Sequence, residues 1–218
     1  MQNFHRKATY TLVGGLLLLM STAASAEVNY NLGLEVGGAK IDVAASDFND
    51  GSLGATAKTD GATYSAGVYG EMVLNRYFRA ELGLIDGGFG TMDATSSGGG
   101  TFWWAGPVEA EYGLGGIKLG AVGTLPLGAN DKFKLLGKVG FVNWASVVNL
   151  GDSWGELTET DTGISAYTGI GAEMDVTGMI SIRVQHEMFS ASAGSDYFVN
   201  GYDFDYARTT AGILFRFR

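Results

Sequence analysis

His186, Ser190 and Glu187 are the residues whose types could assemble a base, a nucleophile and an acid. Histidine occurs only at His5 and His186, and cysteine does not occur at all. That excludes thiolate nucleophiles and His/Cys metal cages, because zinc centres are usually built from three or four such ligands. Serine chemistry fails on spacing. His186 and Ser190 share one face of an extended segment, and four residues of strand span about 13 Å. A nucleophile and its base must lie within hydrogen-bond reach, and Glu187 points to the opposite face. No catalytic residue is assigned, and His186 reads as an interfacial side chain. In "FNDGSLG", Asp47, Asn49, Asp50 and Gly51 lack the alternating ligands and closing glutamate of a calcium loop. No metal site and no cofactor are expected.

These residues must be positioned by strands. Alternation of apolar and polar residues with period two predicts strands at about 28–44, 62–74, 78–90, 106–125, 133–146, 163–175, 179–191 and 206–217. Short links, "LNRY", "PLGANDK" and "DVTG", alternate with long polar ones near 45–61, 91–105, 147–162 and 192–205. A transmembrane barrel shows this alternation, with short inner turns and long outer loops. Before the first strand, Arg6 and Lys7, an apolar run from Leu12 to Met20 and the small residues Ala24, Ser25 and Ala26 form a secretory leader at 1–26. An uncleaved anchor is the alternative; the apolar run falls short of the roughly 20 residues a membrane helix needs. Residues 27–218 then form one barrel domain.

Composition agrees. Apolar residues make up 46% and charged residues 17%, well below the roughly 25% charged content of an average protein. Losing Arg6 and Lys7 takes the formal charge from −9 to −11, which argues against nucleic acid as a partner. Along the third strand Phe78, Ala80, Leu82 and Leu84 oppose Arg79 and Glu81; along the fifth, Phe133, Leu135, Val139 and Phe141 oppose Lys134 and Lys138. In lipid the apolar face turns outward and the ring must close, because unpaired edge groups cost several kcal/mol each in hydrocarbon. A secreted or periplasmic β-barrel or sandwich would show the same alternation turned inside out. The fold expected is all-β: an eight-stranded antiparallel up-and-down transmembrane β-barrel.

The stretches "AGVYGEMVLNRYFRAELGL", "GIKLGAVGTLPLGANDKFKLLGKVGFVNW", "GIGAEMDVTGMISIRVQHEMF" and the terminal "AGILFRF" carry a family pattern. In them the mature chain resembles the OmpA-type, OmpX-like family of eight-stranded outer-membrane barrels over essentially its whole length. The resemblance implies a lumenal network of paired charges, which falls here on Glu81, Lys138, Glu173 and Arg183, with Val122 where the family often has a lysine and Lys118 on the same face. It also implies that a terminal aromatic, Phe215 or Phe217, is read by the outer-membrane assembly machinery, although Arg218 follows. The peptidoglycan-binding domain of larger relatives has no counterpart up to Arg218. Independently of any family, inward charges in so narrow a barrel must pair.

The function expected is a non-enzymatic, monomeric outer-membrane surface protein contributing to envelope integrity. Its partners are outer-membrane lipids and lipopolysaccharide, with adhesion or host-factor binding through four outer loops. A narrow, low-conductance pore gated by the lumenal pairs is the alternative, and a lipid A-modifying enzyme a weaker one. Outer-loop acids, Asp152, Glu156, Glu159 and Asp161, then Asp196, Asp203 and Asp205, could share divalent cations with lipid phosphates; solvation of the loops is the simpler reading. Tyr77, Phe78, Phe215 and Phe217 are expected in an inner aromatic girdle, and Phe102, Trp103, Trp104, Trp144 and Tyr206 near an outer one. "TFWWAG" is alternatively an exposed adhesive patch.

Overall fold

The computed structural model describes residues 29–54, 57–128, 130–194 and 202–217. The expected leader at 1–26, Asp196 and Arg218 lie outside them. Nine strands follow in chain order: β1 (Asn29–Val43), β2 (Lys58–Asp60), β3 (Ala62–Val73), β4 (Phe78–Ser96), β5 (Gly106–Leu127), β6 (Phe133–Asp152), β7 (Gly155–Asp175), β8 (Ile180–Ala193) and β9 (Tyr202–Phe217). Strands β3 to β9 pair antiparallel with their sequence neighbours, β1 pairs with β3, and β9 returns to β1 from Tyr30↔Phe217 to Val43↔Phe204. The result is an eight-stranded up-and-down barrel, with the three-residue β2 lying beside the outer part of β4.

The lower end is closed by turns the sequence encodes locally. Asn75 Oδ1 accepts the N–H groups of Tyr77 (2.8 Å) and Phe78 (3.0 Å), and Thr177 Oγ1 accepts those of Met179 (3.2 Å) and Ile180 (3.0 Å). Between β5 and β6 the chain turns through Gly128 and Asp131, both at positive φ.

In the lower half, Leu119, Val139, Phe141, Ile170 and Val184 face outward and exposed, while the charged residues of the alternate positions are buried inside. Above the network the order reverses. Ile41, Val43, Met92, Trp103, Trp144, Val148, Leu150, Phe204 and Tyr206 point inward and are buried, while Asp42, Asp93, Glu109, Glu111, Asp203 and Asp205 point outward. The chain is thus inside-out at its base and has an ordinary apolar core at its top. On β4 the change of order coincides with an irregularity between Asp86 and Phe89.

Several expectations are corrected here. The third outer link, expected at 147–162, is not a loop: β6 and β7 continue as a hairpin to Asp152↔Gly155, leaving only Ser153 and Trp154 between them. Its polar residues were mistaken for loop because they keep period two in water, with Thr158, Thr160 and Thr162 outward and Val148 and Leu150 inward. β4 likewise runs to Ser96, not 90, so long and short links do not alternate strictly. Trp103, Trp144 and Tyr206 belong to the buried core, not to an outer girdle. The lower aromatics Tyr77, Phe78, Phe215 and Phe217 are exposed, as a girdle requires.

Two pairings stop short of the rim. The β3–β4 ladder ends upward at Ala66↔Asp86, and β2 pairs with β4 above it. The β7–β8 ladder ends upward at Thr168↔Met188, although β7 continues to Gly155 and β8 to Ala193.

Candidate functional site: the lumenal charges and the upper rim

The lumen is filled by two linked groups of charges. In the lower one Glu173 meets Arg183 (2.7 Å), Arg216 (2.8 Å), Arg79 (2.9 Å) and Lys134 (3.3 Å). Glu71 is ion-paired with Arg183 (2.7 Å) and accepts from Arg79 (3.0 Å), and Asp175 accepts from Lys134 (2.8 Å) and Arg216. In the upper one Glu81 lies 2.7 Å from Lys138 and 3.0 Å from Lys118. Glu187 takes Lys118 (2.8 Å), Lys138 (2.9 Å) and Arg208, and Glu35 takes Arg208 (2.5 Å). Arg183, 3.6 Å from Glu81, joins the two groups. Tyr69 stands between them with Arg183, Lys138 and Lys118 at 5.1 to 5.6 Å from its ring centre. Gly33 makes room for that ring, since a Cβ there would lie 2.1 Å from it.

The structure therefore places Glu81, Lys138, Glu173 and Arg183 in one cluster with Lys118, and Val122 lies buried beside them. The network also takes in Arg79, Lys134 and Glu187, which the alternation sets on the inward face, and Glu35, Glu71, Asp175, Arg208 and Arg216, which are not singled out in the sequence analysis. The signal was available for Glu35 and Glu71, each a charge on the inward parity of a run otherwise made of Gly and apolar residues, "GLEVGG" and "YGEMV"; Arg208 sits in the polar run "DYARTTAG" and carries no such signal. Six carboxylates against seven cations leave the lumen close to neutral, so each buried charge is compensated.

Outward on β8, His186 Nδ1 lies 2.9 Å from Thr209 Oγ1. Ser190 donates to Asp205, not to His186. The three candidate reactive residues are not brought together.

At the top, a clasp between the first and second outer connections closes the apolar core. Asp50 Oδ2 accepts the N–H groups of Phe102 (2.6 Å) and Trp103 (2.9 Å), and its Oδ1 those of Ser52 and the Ser52 hydroxyl. Trp103 Nε1–H donates to the Phe48 carbonyl at 2.7 Å, burying both rings. The residues that resembled a calcium loop thus bind backbone amides. Burial pushes the Asp50 carboxyl up, but the bonds from Ser52, Trp103 and Phe102 outweigh it and hold the group at about 2, below its ordinary 3.8. Folding therefore favours the ionised form, and this stabilisation is complete above about pH 4 and is lost as pH falls through the folded value. Hydrogen-exchange protection of the Phe102 and Trp103 amides, corrected for intrinsic rates, is expected to fall over that window. In Asp50→Asn it should be low and flat with pH.

Of the "TFWWAG" residues, Trp103 is buried and Phe102 partly so, whereas Trp104 is exposed and stacks on the exposed Trp154. Around this rim charge is one-sided: above the lumenal network the described residues carry fourteen carboxylates and, as cations, only Lys40 and Lys58.

The profile of the outer membrane protein beta-barrel domain matches residues 11–217. No curated protein sequence matches the chain. Among solved structures, Neisserial surface protein A (NspA) from Neisseria is similar at 13% identity and a TM-score of 0.53, covering 86% of this chain and 97% of that one. Ail, the attachment invasion locus protein of Yersinia pestis, is similar at 11% identity and a TM-score of 0.50, covering 88% of this chain and all of that one. At such identities the likeness concerns the fold. With the closed eight-stranded ring, the outward apolar lower face and a profile spanning nearly the whole length, the chain belongs to the family of outer-membrane β-barrel proteins.

Proposed function

We propose that the protein is a non-enzymatic, monomeric outer-membrane surface protein, exported by way of a leader at 1–26. Its barrel is a scaffold that contributes to envelope integrity and presents an outer rim for adhesion or for binding a host factor. The observation that supports this reading is the filling of the interior from base to rim, by paired charges below and aromatic core above. What is left to act on the surroundings is the rim. Ail is by name an attachment invasion locus protein, which makes attachment the assay of choice. Cells displaying the protein should attach to host matrix more than cells displaying a variant with Ser97–Ala105 replaced and Trp154 removed. Equal attachment would overturn the reading. Phe215 and Phe217 are proposed as the signal read by the assembly machinery.

The lumenal ion pairs favour a second reading, a narrow pore, because Glu173 touches four cations that could exchange partners. Under the scaffold reading, planar bilayers containing the wild type or Glu173→Ala show no conductance steps. Steps that change with that substitution would support the pore.

A further inference from the structure

Trp104 and Trp154 come from different outer connections, yet their rings stack 4.7 Å apart at 21° and stay 54% and 75% exposed. One carboxylate holds them together. Asp152 Oδ2 accepts the Trp104 N–H at 3.2 Å, and Oδ1 accepts those of Trp154 (2.8 Å) and Gly155 (3.3 Å). The Ser153 hydroxyl adds a bond to the Ala105 carbonyl at 3.3 Å. One face of each indole is covered by the other ring, and the exposure leaves the remaining faces to water on a support that is already ordered.

Beneath the pair, on the outer surface, Gly151 lies in register between Glu109 of β5 and Glu156 of β7. A Cβ at Gly151 would be 3.8 Å from the Glu109 backbone oxygen and 4.0 Å from the Glu156 side chain, so the floor between the two acids is bare backbone. Two strand spacings set these acids about 10 Å apart. No Lys or Arg occurs from Ala80 to Ile117 or from Val139 to Ile182, the β4–β7 part of this surface, and the cation of β2, Lys58, stands opposite Asp93, two strands from Glu109.

Exposed indole faces beside a row of carboxylates, Asp93, Glu109 and Glu156, that outnumber its one cation, Lys58, complement one chemistry: a flat cation. A guanidinium stacks on indole and also offers paired N–H donors to a carboxylate, which an ammonium does less well. A polyanion would meet a surface of its own sign. We propose that Trp104, Trp154, Glu109 and Glu156 form a docking site for arginine side chains of a basic polypeptide segment. This rests on the surface-binding reading above and names its partner by chemistry.

The test uses the whole mature protein in nanodiscs of zwitterionic phospholipid, with labelled nona-arginine, nona-lysine and heparin-fragment probes. The arginine peptide is expected to bind tightest and the polyanion not at all. Trp154→Ala and Trp104→Ala should each weaken arginine binding about two- to fivefold, the size of a cation–π contact at an exposed site, with Trp154→Phe close to wild type. Glu109→Gln and Glu156→Gln should weaken binding and flatten its salt dependence. Gly151→Val, which fills the floor and leaves both indoles in place, should reproduce the loss and guards against a tryptophan variant that fails to fold. Tryptophan-independent binding, or equal binding of the two basic peptides, would mean general charge attraction and overturn the proposal. If that happens while rim-dependent attachment persists, only this inference falls. Tryptophan-dependent peptide binding without rim-dependent attachment would leave the site standing and remove the adhesion reading.

Discussion

Glu173→Ala is expected to lower the stability of the folded barrel by about 3–5 kcal/mol, the cost of leaving buried charge uncompensated. The carboxylate is completely buried and lies within 3.3 Å of Arg79, Lys134, Arg183 and Arg216. Without it those four cations face one another with Glu71 and Asp175 to share and Glu81 3.6 Å from Arg183. Urea titration of the protein folded into lipid vesicles would measure the change, as a lower midpoint at unchanged slope. Removing Glu173 and Arg183 together should cost less than the sum of the single losses, since each deletion relieves the imbalance made by the other. An additive double variant would show that the cluster is a set of independent contacts rather than a network.

The second large effect lies in the upper half. Trp144→Ala should cost about 3–5 kcal/mol, as large-to-small changes of buried aromatics do. Its ring is 3% exposed, meets Phe204 edge-on at 5.2 Å and donates Nε1–H to Ser165 Oγ at 3.1 Å. It also lies over Gly163, where a Cβ would stand 2.4 Å from the ring. Trp154→Ala, on the exposed rim, should stay within about 0.5 kcal/mol of wild type, as surface changes usually do. Amide exchange would locate the Trp144 loss: faster above the lumenal charges, unchanged at Glu173 and Arg183. Equal losses for the two tryptophans would contradict the division into core and rim.

The lower half of the molecule was legible in the sequence, and the upper half was not. In "FRAEL" or "FKLLGKVGF" an apolar residue facing lipid alternates with a charge facing the lumen, so strand, face and partner class are all readable. The strand-to-strand pairing that closes the ring follows from the need to leave no edge in hydrocarbon. Above the network the same alternation persists with its meaning reversed. "SVVNLGD" and "ELTETDT" set Val148 and Leu150 inside and Thr158 and Thr160 in water, which read as loop because an outer loop was expected to be polar. Trp103, Trp144 and Tyr206 were placed at a girdle because tryptophan and tyrosine favour headgroup boundaries; a dry core outside the membrane uses them equally well. The Trp104–Trp154 stack and the Asp50 clasp join residues about 50 positions apart, and no local pattern announces such pairs.

The unfinished β7–β8 ladder divides the wall unequally. Below Thr168↔Met188 every strand has two partners, and a ring of that kind resists both sliding and splaying. Above it, β4 to β7 stand as one tall panel and β8, β9, β1 and β3 as a shorter one: on the β4 side backbone bonds tie the two, with β2 paired to β4 and Gly61 accepting the Ile41 N–H, whereas among the described residues no backbone ladder joins β7 to β8 there. Mechanically the molecule is a rigid collar carrying a cleft sleeve. Bending at the rim is therefore taken up at the one seam between β7 and β8, while the base keeps its registration.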